Sequence, residues 1–269
     1  MMPICWKACL EKKYSLAGWT AGILVYMAIL GWYYPSLAEA GDEMQALMDL
    51  MPKDMWAMFG IDEAVDMLSP SGFLTAEAFG MMLPIFFSVF AMGIGSRAIG
   101  GEETDGTLEL LATLPIARRQ LYFEKFAALV VLVTALGILL WLGVVFASAR
   151  GGMALSVGPV AGSSVMVALL GLFFGAITLA AGAMTGRRTQ TVAIGSALIV
   201  VTFLFKSLAA MIDSLSALKW LSPFYYYGQG LSLDENLLFV DTLPLVGGII
   251  VLAIAGLIVF ERRDLCACP

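Results

Sequence analysis

The chain has 269 residues, of which 60% are hydrophobic and 13% charged, with a mean hydropathy of +0.90. Water-soluble domains carry about 25% charged residues, so this composition excludes an ordinary soluble enzyme. The absence of histidine excludes imidazole catalysis and most transition-metal sites, and a net charge of −6 without a basic stripe excludes a nucleic-acid footprint.

The apolar residues come in runs near the ~20 that a spanning helix needs, not in the short alternating segments of a barrel. The fold class predicted is therefore an all-α polytopic membrane protein, one domain over 1–269. Residues 1–15 set Ile4, Trp6 and Leu10 against Lys7, Lys12 and Lys13. They read as a short amphipathic helix lying in the membrane interface; a frayed basic N-terminus is the plainer alternative. Span 1 takes 16–34 and ends in a Trp32-Tyr33-Tyr34 interfacial belt. Lys12-Lys13, an apolar stretch and Ala38-Glu39-Ala40 also resemble a signal peptide, but the stretch is longer than a usual h-region, and a span is the reading kept.

Residues 35–78 are too many for a structureless loop. Met44, Leu47, Met48 and Met51 recur at helical spacing opposite acids such as Asp42, Glu43 and Asp49. Short amphipathic helices on the outer membrane face are expected here. They would cap a translocation exit or seal the bundle, and the second is favoured. Span 2, 79–99, is kinked near its outer end by Pro84, and its Gly93 and Gly95 permit close helix approach.

The one polar, patterned stretch between long apolar runs is 100–125. Glu102, Asp105 and Glu109 stand at i, i+3 and i+7, so one helix would carry them as an acidic stripe, with Leu108, Leu111 and Leu114 on its far side. Pro115 stops that helix. Arg118, Arg119 and Lys125 then mark a membrane edge. A short amphipathic helix here cannot cross the bilayer and lies on its surface, its acids free to meet another protein.

Glu102-Glu103, then Gly106-Thr107-Leu108-Glu109-Leu110-Leu111, Pro115 and Arg118, followed by Lys125, resemble the signature of ABC-2 type permeases, the membrane subunits of ATP-driven exporters. The resemblance covers nearly the whole chain as architecture and this stretch alone as motif. It implies that the stretch is a coupling helix docked in a groove of a separate ATPase subunit. It also implies two permease copies, as a homodimer, with a path between them, and two cytoplasmic ATPase subunits that bind the ATP and magnesium.

Span 3 follows at 126–147. A short loop with Arg150, Gly151, Gly152 and Pro159 leads to span 4, 164–184, whose Gly171, Gly175 and Gly182 suit close packing. The turn Thr185-Gly186-Arg187-Arg188 reverses the chain into span 5, 191–211. Lys206 lies roughly 23 Å along it, where snorkelling to the headgroups is the simplest account and a substrate contact the sharper one. Trp220, Pro223, Phe224 and Tyr225 to Tyr227 read as an interfacial belt. Span 6 is 243–260, anchored by Arg262 and Arg263. Cys5, Cys9, Cys266 and Cys268 are expected to be free thiols, with a soft metal or palmitate at Cys266 and Cys268 as the alternative.

Eleven of the fifteen Lys and Arg residues fall on the side holding both termini. The positive-inside rule therefore makes the termini and the acidic stretch cytoplasmic in a cell membrane. No G-x-x-x-x-G-K-[ST] stretch is present, so any ATP hydrolysis belongs to a partner and no cofactor is expected on this chain. Mid-span ionisable groups, which ion-coupled transporters use, are missing too. The function expected is a transport path worked by a separate motor, without enzymatic activity of its own and with membrane lipid around it. The alternative is a motor-independent channel or scaffold whose acidic helix binds a partner.

Overall fold

The computed structural model describes residues 3–41, 69–108, 117–211 and 213–263, and every element among them is helical. A short helix α1 (Pro3–Glu11) passes through Lys12 into α2 (Lys13–Glu39). Then come α3 (Pro70–Thr104), α4 (Arg118–Arg150), α5 (Val157–Thr185) and α6 (Arg188–Met211). A 3-10 run, Asp213–Leu221, and the short α7 (Pro223–Gln229) precede α8 (Phe239–Arg262). Among the described residues, α2, α3, α4, α5, α6 and α8 are the six helices long and apolar enough to cross a membrane.

Helices α5 and α3 form the buried centre of the bundle, while α2, α6 and α8 leave most of their length uncovered. Small residues make that centre possible. A Cβ added at Gly175 would lie 3.1 Å from the Ala91 Cβ, and one at Gly171 would lie 3.1 Å from the Phe87 carbonyl oxygen. Without side chains on the facing ridge, two backbones approach closely and gain dispersion contacts along their length, the main attraction available between apolar helices in lipid.

Each helix outruns the apolar window that predicts it, because intrahelical hydrogen bonds continue past the point where hydrophobicity stops. Span 1 does not end at Tyr34: α2 continues through Pro35 to Glu39. Tyr34 and Leu37 are buried there, and the Tyr34 ring sits 5.5 Å from that of Phe73 on α3. Pro84 does not end α3, whose helical turns continue through it. The turns before it, Thr75–Met82, are wound as π-helix, which makes room for a ring that clashes with the carbonyl four residues back. A second π-turn, Arg97–Gly101, widens α3 at its opposite end.

The expected amphipathic helices between spans 1 and 2 fall mostly on 42–68, outside the described residues. The aromatic stretch after span 5 is not a simple interfacial belt. Trp220 is exposed, but α7 turns Phe224 and Tyr227 into the core, and the Tyr227 hydroxyl donates to the Phe79 carbonyl oxygen at 2.6 Å. A buried phenol needs such a partner. The stretch is thus a plug that ties the far end of the bundle to α3.

Candidate functional site: the charged end of the bundle

The end of the bundle that holds α1 also gathers the last turns of α3, the first turns of α4, the α5–α6 turn and the last turn of α8. Its floor is a second hydrophobic cluster, with Ile4, Ile99, Leu108, Leu121, Tyr122, Leu179 and Phe260 buried together. Above that floor the charges are arranged in pairs that link different helices.

Helix α3 stops at Gly106, which takes φ +71°, with its N–H donating to the Glu103 carbonyl oxygen at 3.2 Å. This left-handed residue is a helix C-terminal stop that glycine adopts at least cost. A new helical turn begins at Thr107 and Leu108. The expected acidic stripe is corrected accordingly: Glu102 stands in the last turn of α3, Asp105 caps it, and the left-handed Gly106 ends the helix there. Leu108 packs into the apolar floor. Glu109, Leu111, Leu114 and Pro115 lie outside the described residues.

Nor are all the acids free to meet another protein. Glu102 forms an ion pair with Lys125 on α4, whose side chain is only 8% exposed. Glu103 forms a second with Arg263, through a 3.0 Å bond from Nη1 to Oε2 and a shorter contact from Nη2 to Oε1. Arg263 Nη1 also donates to the Ala183 carbonyl oxygen at 3.2 Å, and Arg118 Nη1 to the Arg263 carbonyl oxygen at 2.6 Å. So Lys125 and Arg263 are not headgroup anchors; they clamp the end of span 2 to spans 3, 4 and 6. Gly186, at φ +64°, allows this, since any side chain there would collide with Arg263 and Glu103. Asp105 and Thr107 stay exposed, and so do Arg118 and Arg119.

Two further contacts complete the assembly. Thr104 Oγ1 donates to the Gly100 carbonyl oxygen at 2.6 Å and accepts from the Arg188 N–H at 3.2 Å, joining α3 to the start of α6. Glu124, which sequence reasoning passed over, is buried and accepts from the N–H groups of Ile4 at 2.9 Å and Cys5 at 3.2 Å. A carboxylate at a helix N-terminus satisfies otherwise orphaned donors and meets the positive end of the helix dipole. The sequence signal was available: an acid immediately beside Lys125, at the edge of an apolar run.

Burial pushes the Cys9 thiol up to about 11, with nearby Cys5 adding to it. Since the thiolate is the nucleophile, Cys9 should be alkylated at pH 8 roughly a hundredfold more slowly than a thiol at the unperturbed value of 9.0. Peptide mass mapping after iodoacetamide treatment, native against denatured, measures this; equal rates would contradict the burial of α1 against α4.

These features define a polytopic helical membrane protein with a clamped, charged end and no nucleotide-binding loop of its own. Residues 2–265 match the family described as ABC-2 family transporter protein. The chain belongs to that family, as a membrane subunit lacking an ATPase domain, and the family implies an ABC ATPase as its partner. No curated protein matches the chain significantly.

Proposed function

We propose that this chain is the translocation subunit of an exporter, paired with a second copy of itself and driven by two cytoplasmic ABC ATPase subunits that grip the segment between α3 and α4. The supporting observation is the pair of ion pairs at the end of α3, Glu102–Lys125 and Glu103–Arg263. A displacement applied to 105–117 would reach α4 and α8 through these pairs, so three spans move with the segment. The motor would touch the exposed Asp105 and Thr107 and the continuation through Glu109, Leu111 and Pro115, with Arg118 at its edge. Glu102, Glu103 and Gly106 transmit within the chain, and Leu108 holds the segment to the bundle. The positive-inside rule puts this end in the cytoplasm, where a motor can reach it.

Asp105→Lys with Glu109→Lys should lower transport-stimulated ATP hydrolysis of the reconstituted complex roughly tenfold, since like charge at a docking rim is costly. The ATPase subunit's basal rate should not change. Unaltered stimulation, or a chain that conducts ions without ever co-purifying with an ATPase, would overturn the proposal.

A further inference from the structure

A cavity of about 490 Å³ opens beside the clamped end, between α1, the end of α3, α4 and the start of α6. Its charges do not balance. Lys7 pairs with Glu11 at 3.8 Å, and Lys125 pairs with Glu102. Lys12, Arg97 and Arg188 remain on its rim with no carboxylate partner among the described residues, against the single unpaired acid Asp105. Three cations around one cavity repel one another, and the Lys12 ammonium is held below its ordinary value first by desolvation and then by Arg97. Such a cluster persists at least cost when an anion sits among its members.

The inner wall has the opposite character. Ile94 on α3 and Ala128 and Leu132 on α4 line the cavity toward the level of the membrane-spanning turns. A cationic rim over an apolar wall, at a bundle end flanked by the exposed Trp6 and Tyr14, fits a molecule with a phosphate at one end and hydrocarbon at the other. Basic pockets between spanning helices bind lipid headgroups in this manner.

We infer that this cavity binds one anionic phospholipid, its phosphate held by Lys12, Arg97 and Arg188 and its glycerol and acyl portion lying on Ile94, Ala128 and Leu132. The lipid ties α1 and the start of α6 to α3 and α4, which the Glu102–Lys125 pair already joins. This site is independent of any motor, because it needs only the chain and a membrane.

The purified chain in neutral detergent, without an ATPase, is titrated with dioleoyl phosphatidylglycerol, dioleoyl phosphatidylcholine or inorganic phosphate, and its melting temperature is followed. Phosphatidylglycerol should raise the melting temperature well beyond phosphatidylcholine, and inorganic phosphate should not reproduce the rise. Arg97→Gln with Arg188→Gln should weaken phosphatidylglycerol binding roughly thirtyfold, from ~1 kcal/mol for each cation lost. Arg97→Lys with Arg188→Lys should keep most of it. Should the double Gln variant not purify folded, Lys12→Gln alone is titrated in the same way, with binding expected to weaken roughly fivefold. Equal response to the two lipids, binding undiminished in the Gln variant tested, or stabilisation by inorganic phosphate as large as that by phosphatidylglycerol would each overturn the inference.

Discussion

Glu102→Ala should destabilise the isolated chain by about 3 kcal/mol, at the lower end of what removal of one partner from a buried ion pair costs. The reason lies less in the lost attraction than in what remains. Lys125 is buried on α4, on the wall of the cavity that Ala128 and Leu132 also line, and Glu102 is the one carboxylate paired with its ammonium among the described residues. The converse change, Lys125→Met, strands the carboxylate: Glu102 Oε2 already lacks a hydrogen-bond partner among the described residues, and Oε1 would lose its own. Removing both charges together, as Glu102→Ala with Lys125→Met, takes away both desolvation penalties and should restore at least half of the loss. Chemical unfolding of the three variants in detergent gives the coupling energy. If Glu102 instead serves as a contact for the motor, its loss leaves the isolated chain as stable as before and lowers only the stimulated ATP hydrolysis. A double variant as unstable as the sum of the singles would sink the clamp.

Much of this architecture is legible in the chain because lipid simplifies the code. A run such as 126–147 admits only a helix with all its backbone bonds internal, so the six long helices follow from counting apolar residues. The glycines at 95, 171 and 175 do pack closely, as small residues between spans often do, but Gly93, read with Gly95 as a close-approach position, faces open space. The clamp is different. Glu102 and Lys125 are 23 residues apart and Glu103 and Arg263 are 160 apart, and no periodicity relates them. Positively charged residues at span ends satisfy the topology rule equally well whether they face headgroups or carboxylates. The break at Gly106 was written as a turn signal in Asp105-Gly106, but the i, i+3, i+7 spacing of acids suggested one continuous helix. In Tyr225-Tyr226-Tyr227 nothing local says which ring goes inward; the carbonyl that accepts from the Tyr227 hydroxyl, that of Phe79, lies 148 residues earlier.

Gly95→Leu should be the most damaging single substitution in the bundle centre, and Gly95→Ala a measurable fraction of it. A Cβ at Gly95 would meet the Gly175 carbonyl oxygen and the Thr178 hydroxyl well inside contact distance, and the Leu179 nitrogen at 3.2 Å. Two of these are backbone atoms of α5, a helix already held from other sides by α4 and α8, so it cannot retreat without opening those packings. Overpacking of this kind costs roughly 1–3 kcal/mol, and the larger side chain should sit at the upper end or prevent folding. The chain supplies its own control two residues away, where a Cβ at Gly93 would meet nothing within 4 Å. Gly93→Ala should therefore be neutral or stabilising by a few tenths of a kcal/mol, through the better helix propensity of alanine. The wedge should also reach the clamp, because Gly95 lies only two turns before Glu102 and Glu103 on the same helix. Alanine at 95, if it folds, should lower transport-stimulated ATP hydrolysis as well as the melting temperature, while alanine at 93 lowers neither. Melting curves for the two alanine variants, side by side, test the geometry; equal behaviour would mean that α3 and α5 do not meet at Gly95.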